Sequence, residues 1–349
     1  IMKKKKVMIG MSGGVDSSVA AALLLEQGYK VVGMMLRLWS EEGQEAANRC
    51  CAPDAVNEAR KIAGMLGIPF YVIDAREYFR RVVVEEFLNG YSSGQTPNPC
   101  VVCNRKVRWG YLLERALEVG GSYMATGHYV RLRELQDGQI QLMRAVDLNK
   151  DQSYVLSGLT QEQLQQSLFP LGEMTKTEVR QKARELGLAV ADKADSQDLC
   201  FLGDMDYREF LARHAPGAAI AGEIVNQQGE VIGKHDGLSN YTIGQRKGLG
   251  IFAAEPYYVL HLDVDNNRVV VGTADELGTS EMRVAKTNWI SGEQLLSQTS
   301  VQVKIRYRAP LVSAGIHPEN EDRVRVVFSQ PMRDITPGQH AAFYQGEIC

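Results

Sequence analysis

The sequence predicts an α/β protein with an N-terminal parallel-sheet domain, a small, mainly β central domain and a C-terminal antiparallel β-barrel. Three observations predict it. Apolar runs typical of strands alternate with helical patterns as far as residue 126, which favours right-handed βαβ units. Past Tyr207 the pattern changes to short strand-like runs separated by turns. A glycine-rich loop joins the first strand to the first helix, as in sheets that bind ligands at their carboxyl edge.

The length and composition are those of an ordinary globular protein with more than one core. The chain has 349 residues, of which 44% are hydrophobic and 23% charged, and we place domain boundaries at 1–206, 207–276 and 277–349. The apolar run after the N-terminal lysines is too short for a signal peptide, and no run approaches the roughly 18 apolar residues of a membrane span, so we expect a cytoplasmic protein. The net charge of −3 neither suggests nor excludes a nucleic-acid partner.

The first half of the chain predicts four strands of a parallel sheet, at 7–9, 31–36, 68–73 and 123–126. Helices are expected between them, from Pro53, over 77–88 and over 105–118, with a Pro- and Gly-rich loop at 92–104. The carboxyl ends of parallel strands meet at one edge, so the first loop, Leu36, Gly127 and the Cys103 loop should converge there.

The second half predicts a hairpin around Asp137-Gly138, a helix over 175–186 capped near Thr175, and then short strands. The expected strands lie at 223–225, 230–232, 257–264, 269–272, 301–307, 323–328 and 341–344. Lys304, Arg306 and Arg308 alternate within one of these strands, so they should share a face suited to an RNA backbone.

The stretch Ile9–Ser18, I-G-M-S-G-G-V-D-S-S, predicts a phosphate-binding loop. Gly13 and Gly14 let the backbone approach a ligand, and the N–H groups at the start of the following helix favour an anion. The loop lacks the G-K-[ST] of a Walker motif. It resembles instead the S-G-G-x-D-S pyrophosphatase loop of enzymes that split ATP into AMP and pyrophosphate, a resemblance implying that Asp16 helps to hold Mg²⁺ on the phosphates. The alternative is that this stretch has no ligand and is only a turn that caps a core helix.

Three of the six cysteines are candidate reactive groups. Cys100 and Cys103 precede the helix expected from Arg105, whose positive end and neighbouring Arg and Lys residues favour the thiolate. Cys200 follows the Asp195–Asp198 motif far along the chain. A C-x-x-C pair is compatible with zinc, with a redox pair or with an iron–sulfur cluster, and Cys200 alone is also compatible with a small buried residue.

Several motifs occur in one order along almost the whole chain, and together they resemble the bacterial tRNA-specific 2-thiouridylases, which install sulfur at C2 of the wobble uridine of certain tRNAs. The motifs are S-G-G-V-D-S-S at Ser12, N-P-x-x-x-C-N at Asn98, A-T-G-H-Y at Ala125, D-Q-S-Y at Asp151, D-S-Q at Asp195, C-F at Cys200, Y-T-I-G-Q-R-K-G-L-G at Tyr241 and T-P-G-Q at Thr336.

The resemblance implies a role for each matching residue. It implies an N-terminal adenine nucleotide alpha hydrolase-like (PP-loop ATPase) domain and three sets of site residues. ATP contacts are implied for Gly10, Met11, Ser12, Gly13, Gly14, Val15, Asp16, Ser17, Leu36 and Gly127. Contacts with tRNA are implied for Asn98, Pro99, Cys100, His128, Lys150, Asp151, Gln152, Arg306, Tyr307 and Gln339, the first three of them with the target base. Catalytic roles are implied for Cys103, Cys200 and Asp16.

The implied chemistry joins these parts. ATP adenylates the C2 oxygen, which turns a poor leaving group into AMP, and a persulfide on Cys200 supplies the sulfur. Cys103 either attacks the outer sulfur, leaving a Cys103–Cys200 disulfide, or helps to release hydrosulfide. Implied partners are tRNAs with Lys-, Glu- and Gln-type anticodons and a sulfur donor, either a cysteine desulfurase or a relay protein. The base must leave its stack, which an anticodon loop permits.

One departure from the family's motifs, at Cys100, leaves alternative hypotheses of function open. Cys100 stands where well-described members carry Asp, so Cys100, Cys103 and Cys200 are an alternative set of ligands for a 4Fe–4S cluster that performs the same thiolation. A PP-loop ligase acting on a small molecule would share the first domain but would give Cys103 and Cys200 no role. A zinc-bearing RNA-binding module without catalysis would use the C-x-x-C pair structurally.

Overall fold

The computed structural model describes residues 4–44, 52–194, 199–218, 220–252 and 254–349. Cys50, Cys51 and the Asp195–Asp198 motif lie outside the described residues. The strands are β1 Lys6–Gly10, β2 Lys30–Arg37, β3 Phe70–Asp74, β4 Tyr123–Ala125, β5 Val130–Glu134, β6 Ile140–Arg144, β7 Ser167–Leu168, β8 Gly222–Val225, β9 Val231–His235, β10 Tyr258–Asp263, β11 Arg268–Gly272, β12 Thr279–Ala285, β13 Thr299–Lys304, β14 Val312–Asn320, β15 Arg323–Met332 and β16 Ala342–Tyr344.

The α-helices of the described residues all belong to the first 214 positions of the chain. They are α1 Val15–Glu26, α2 Pro53–Met65, α3 Arg76–Phe79, α4 Glu85–Ser92, α5 Pro99–Val102, α6 Leu113–Glu118, α7 Ser153–Leu156, α8 Gln161–Gln165, α9 Lys176–Glu185 and α10 Tyr207–His214. Two π-helical segments, Arg80–Val84 and Cys103–Leu112, connect α3 to α4 and α5 to α6, so each trio is one continuous helix.

The N-terminal sheet is fully parallel, which confirms the predicted fold class. Its order is β3-β2-β1-β4-β7, with β1 at the centre. Val7 and Ile9 of β1 are fully buried, and α1 packs against this face with eight of its twelve residues buried. Because β1 is hydrogen-bonded to a strand on each side, its position is fixed. The loop that follows β1 therefore starts from a rigid point.

Two β-rich sheets follow, as the sequence predicts. The central one has the order β10-β11-β8-β9, in which only the β11–β8 pair is parallel. The C-terminal one, β12-β15-β14-β13-β16, is antiparallel throughout. The sequence patterns predicted neither β12 nor β14, because four of the seven residues of β12 and four of the nine residues of β14 are polar.

Two local expectations were wrong. The expected loop at 92–104 ends early, because Asn98 caps a helix that starts at Pro99, and its side-chain oxygen accepts a hydrogen bond from the Val101 N–H at 3.3 Å. The strand expected over 301–307 ends at Lys304, so Arg306 and Arg308 do not continue its alternation. Arg306 instead turns inward, and its guanidinium donates to Thr336 Oγ1 and to the Ile243 carbonyl at 3.4 Å.

The C-terminal sheet is docked on the N-terminal domain through side chains near the strand ends. The Tyr154 hydroxyl donates to the His340 carbonyl at 2.8 Å, and Asn288 Nδ2 donates to the Ser157 carbonyl at 3.0 Å. Tyr154 and Tyr344 are buried in one apolar cluster that both domains share. Among the described residues, none of the helices has the length and apolar character that crossing a membrane requires.

Candidate active site

The loop between β1 and α1 has the geometry of an anion cradle. Gly13 adopts φ +68°, and a Cβ there would lie 2.6 Å from the Ala55 carbonyl oxygen, so only glycine fits. Gly14, which has no side chain to cap the helix, is the N-cap of α1, so the first N–H groups of the helix face the loop. Ser17 Oγ accepts from the Ser12 N–H at 3.2 Å and holds the turn closed. This geometry suits an anion such as a phosphate group.

Gly127 brings the end of β4 against the same helix start. A Cβ on Gly127 would lie 2.7 Å from the backbone of Asp16 and Ser17, so this position also requires a residue without a side chain. Leu36, near the end of β2, is half-buried and packs against two apolar clusters. The predicted convergence at the carboxyl edge of the sheet therefore holds for the first loop and for Gly127.

Asp16 is engaged by two residues that sequence reasoning missed. Its Oδ1 and Oδ2 accept from Lys176 Nζ at 2.7 and 2.8 Å, and Oδ1 also accepts from the Tyr129 hydroxyl at 2.7 Å. A third missed residue, Lys193, donates to the Gly13 carbonyl at 3.1 Å. The sequence offered one local signal for these contacts. Lys176 is a cation in the first turn of a helix, where it opposes the helix dipole, and this unfavourable position indicates a partner elsewhere in the fold.

The two thiols of the proposed sulfur transfer reach the same part of the molecule. Cys103 and Cys200 are both half-buried and pack against one apolar cluster, the phenylalanine cluster, formed by Phe79, Phe87, Phe201 and Phe210 with their neighbours. Phe201 lies at its centre, with ring centroids 6.0, 5.4 and 5.6 Å from those of Phe79, Phe87 and Phe210. Residues distant in sequence are thus held by one rigid core.

The third thiol does not join them in a metal site. Cys100 is exposed in the first turn of α5, and no three His, Cys, Asp or Glu side chains of the described residues form a group able to hold a metal ion. Cys100, Cys103 and Cys200 therefore do not fit the 4Fe–4S alternative in this arrangement. The position of Cys100 two residues after the Asn98 cap places it at the positive end of the helix.

Residues expected to contact tRNA divide into those that face solvent and those that face the protein. Lys150 is half-buried and Tyr307 is exposed. Asp151 is 3% exposed and accepts from the N–H groups of Ala145 and Ser153, from Ser153 Oγ and from Arg144 Nε. Gln152 Oε1 accepts from the Tyr129 N–H at 2.9 Å. The side chains of Asp151 and Gln152 therefore shape the loop that carries them.

His128 and Gln339 likewise make contacts within the protein. His128 is buried beside Trp109, with ring centroids 5.5 Å apart, and its Nδ1 lies 2.8 Å from Thr126 Oγ1. Burial, reinforced by the charge of Arg108, lowers the pKa of His128 to about 3, so its imidazole is neutral near pH 7. Gln339 Nε2 donates to the Thr96 carbonyl at 2.7 Å. Their contacts with tRNA stay predictions.

Comparison with known proteins covers the whole chain. Three family models match in series: the tRNA methyl transferase HUP domain over 5–204, the tRNA methyl transferase PRC-barrel domain over 208–273 and the aminomethyltransferase beta-barrel domain over 279–349. Similar full-length proteins include the tRNA-specific 2-thiouridylase MnmA of Acetivibrio thermocellus, 45% identical over 99% of this chain and 98% of that protein. The same-named proteins of Heliobacterium modesticaldum and Carboxydothermus hydrogenoformans are 47% and 46% identical over 99% of this chain and 90% and 96% of theirs.

This chain belongs to the tRNA-specific 2-thiouridylase family. Membership confirms the resemblance that the motifs indicated and the predicted fold class. In members of this family the first domain is of the HUP type, which agrees with the parallel sheet and the loop after β1. The domain boundaries and the roles of single residues stay predictions.

Proposed function

We propose that this 2-thiouridylase family member uses ATP to replace the C2 oxygen of the tRNA wobble uridine with sulfur. The observation that carries the proposal is that Cys103 and Cys200 pack against the same phenylalanine cluster, in a chain that also has a glycine-rich loop fit for a phosphate. A small-molecule ligase would need the loop but not the two thiols. A zinc module would need a converging ligand group that the described residues do not form.

The nucleotide step belongs to the loop after β1. Its backbone amides hold the phosphates, and Gly127 lets the neighbouring backbone approach the same region. The C2 oxygen attacks the α-phosphorus of ATP, which releases pyrophosphate and leaves an adenylated uridine. Mg²⁺, when bound, would neutralise charge on the phosphates.

The sulfur step belongs to Cys103 and Cys200. Cys200 carries a persulfide, whose terminal sulfur attacks C2 and displaces AMP. Attack of Cys103 on the outer sulfur, as the resemblance implied, would bond that sulfur to Cys103 and would not give a Cys103–Cys200 disulfide. Atom balance instead places the attack of the Cys103 thiolate on Cys200 Sγ, because breaking that S–S bond leaves sulfur on the base and a Cys103–Cys200 disulfide. If Cys103 attacks Cys200 Sγ before the persulfide reacts with C2, hydrosulfide is released, and the hydrosulfide then adds to C2 and displaces AMP. Both routes require a thiolate at Cys103.

The RNA would enter between the N-terminal domain and the C-terminal sheet. A cleft of about 1270 Å³ there is lined by Asn98, Arg105 and Lys106 on one side and by Lys286 and Trp289 on the other. Positive side chains attract phosphate, and an indole offers a face for a base turned out of its stack. Asn98, which lines this cleft, is the N-cap of the thiol-bearing helix, and Pro99 is the first residue of that helix.

The test is the 2-thiouridine content of tRNA, measured by mass spectrometry in a strain that lacks this protein. We expect 2-thiouridine to be lost from tRNAs with Lys-, Glu- and Gln-type anticodons and to be restored by the wild-type chain. Cys103→Ser and Cys200→Ser should fail to restore it. Cys100→Ser should restore it, because persulfide transfer needs two thiols whereas the cluster alternative needs three. Undiminished 2-thiouridine in the deleted strain would reject the proposal.

The sulfur donor is a separate part of the proposal. We expect a cysteine desulfurase, or a relay protein that follows one, to deliver the persulfide to Cys200. Incubation of the purified chain with a desulfurase and radiolabelled cysteine should label the wild type and Cys103→Ser but not Cys200→Ser.

A further inference from the structure

The Lys176 ammonium is buried beside the nucleotide loop although Lys176 is 160 residues away from Asp16 in sequence. Only 11% of its side chain is exposed, and Nζ donates to both carboxylate oxygens of Asp16. The Tyr129 hydroxyl donates to the same carboxylate, and Nζ lies 5.8 Å from the Tyr129 ring centroid. Burial of an ammonium is unfavourable unless it is paired, so this arrangement holds a positive charge at a defined point.

The backbone around Lys176 fixes the direction of that side chain. Thr175 caps α9 through a reciprocal pair of hydrogen bonds with Glu178. The Lys176 N–H also donates to Asp147 Oδ2 at 3.0 Å. Lys176 is the first residue of α9, where the helix dipole disfavours a cation. A lysine that is anchored this firmly in an unfavourable position indicates a use for the charge at the loop.

Asp16 is poorly placed to bind a metal ion in this arrangement. A carboxylate offers about four lone-pair positions, and two hydrogen bonds from Lys176 and one from Tyr129 occupy three of them. A divalent cation bound to the same oxygens would also lie beside the ammonium, and like charges repel at that distance. The expected Mg²⁺ contact of Asp16 therefore conflicts with the observed pairing.

We propose that Lys176 is a direct ligand of the ATP phosphates and that Asp16 and Tyr129 are its positioning residues. The inference rests on the proposed use of ATP. Apart from the Asp16 carboxylate, the loop offers only neutral amides and hydroxyls, so a triphosphate needs a cation nearby. Lys193 reaches the Gly13 carbonyl, whereas Lys176 lies against the first turn of α1. We expect the ammonium to contact the phosphates that ATP and pyrophosphate share and AMP lacks, because several adjacent negative charges attract a cation more strongly than a single phosphate does.

The test measures binding rather than turnover, using calorimetric titration of the purified full-length protein with ATP, inorganic pyrophosphate and AMP. We expect Lys176→Met to weaken ATP and pyrophosphate binding about tenfold to a hundredfold, the usual value of a hydrogen bond to a charged group. AMP binding should change much less. Lys176→Arg should retain part of the affinity. Lys182→Met is the matched control, since Lys182 lies on the same helix and pairs with Glu26 at 2.8 Å on the surface.

Asp16→Asn tests the positioning role. We expect it to weaken ATP binding less than Lys176→Met does, and to leave the dependence of ATP affinity on Mg²⁺ as in the wild type. A loss of that dependence would show that Asp16 is a metal ligand and would overturn the proposal. Lys176→Met alone leaves the Asp16 carboxylate without its ammonium partner and could therefore misfold. The double variant Asp16→Asn/Lys176→Met removes both charges together and avoids this unpaired carboxylate. Wild-type ATP affinity in the double variant would also overturn the proposal.

Three further outcomes decide whether this inference, or the proposed function with it, fails. Equal losses of AMP and ATP affinity in Lys176→Met would indicate collapse of the loop and would overturn the phosphate contact. If the wild type binds ATP and Lys176→Met binds it equally well, the inference fails while the proposed function stands. If the wild type binds no ATP, the proposed function and the inference fail together.

Discussion

Gln339 and Thr96 join the C-terminal sheet to the segment that leads into the thiol-bearing helix. Gln339 Nε2 donates to the Thr96 carbonyl at 2.7 Å, and the Thr96 N–H donates to the Pro337 carbonyl at 2.8 Å. Thr96 lies two residues before Asn98, the cap of α5. The position of the C-terminal sheet is therefore coupled directly to the start of the helix that bears Cys100 and Cys103.

Gln339→Ala should loosen this junction without unfolding the protein. It leaves the Thr96 carbonyl without its side-chain donor, at a cost of about 1 kcal/mol. Hydrogen exchange of the peptide around Thr96 should become faster, and the KM for tRNA should rise while ATP binding is unchanged. Gln298→Ala, at an exposed position of the same domain, is the control. Unchanged exchange around Thr96 would show that the contact carries no coupling.

Gly13→Ala should abolish nucleotide binding. The new Cβ would meet the Ala55 carbonyl oxygen at 2.6 Å, and the left-handed backbone adds about 1 kcal/mol of strain. Gly28→Ala is the matched control, because Gly28 also has positive φ, +85°, but has open space around its Cβ position. Thermal unfolding should show the strain of the left-handed backbone in both variants and a further loss in Gly13→Ala from the contact with Ala55. Only Gly13→Ala should lose ATP binding in titrations, and retention of ATP binding there would argue against the cradle.

His128 should contribute a pH-dependent stability. Its pKa is lowered from an ordinary 6.5 to about 3 in the folded protein, so between these values the unfolded chain binds more protons. Stability from this group is present above pH 6.5 and falls as the pH is lowered toward 3, by about 1.4 kcal/mol per pH unit. Denaturant unfolding of His128→Gln should show a correspondingly smaller loss between pH 6 and 5 than the wild type. Equal losses in both proteins would contradict a buried neutral imidazole.

Asp151→Asn should lower the free energy of unfolding, with any effect on RNA binding following from that loss of stability. The buried Asp151 carboxylate accepts from two backbone N–H groups, a hydroxyl and Arg144, and an amide cannot accept at both ends. We expect a loss of about 3 kcal/mol in the free energy of unfolding. Asp137→Asn, in the exposed hairpin turn, should change it by less than about 0.5 kcal/mol. A variant that keeps full stability but loses tRNA affinity would instead indicate direct contact with RNA.

Phe201→Ala should loosen the phenylalanine cluster against which Cys103 and Cys200 pack. Phe201 is 1% exposed and contacts three other phenylalanine rings, so truncation should cost about 3–5 kcal/mol. Disulfide formation between Cys103 and Cys200 under mild oxidation should slow, while ATP binding stays near that of the wild type. Phe252→Ala, at a fully exposed ring, is the control. Normal disulfide formation in Phe201→Ala would mean that the cluster does not position the thiols.

The sequence by itself determined the features that depend on neighbouring residues. The I-G-M-S-G-G-V-D-S-S stretch predicted both the central strand and the loop, because an apolar run and two glycines act locally. Thr175 predicted the start of α9, and the capping box confirms it. The thiols were found as candidates from residue type and motif. The sequence did not predict the start of the thiol-bearing helix, because a segment rich in Pro and Gly is typical of a loop, although proline is also common at the first helical position.

The tertiary structure alone decided which distant residues meet. The pairing of Lys176 with Asp16, the burial of His128 beside Trp109 and the contact of Gln339 with Thr96 each join segments that no local pattern relates. Local sequence fixes backbone hydrogen bonds and the apolar face of each element. The partners of a buried charge or amide depend instead on how whole elements pack, because burial requires every polar group to find a partner wherever the fold supplies one.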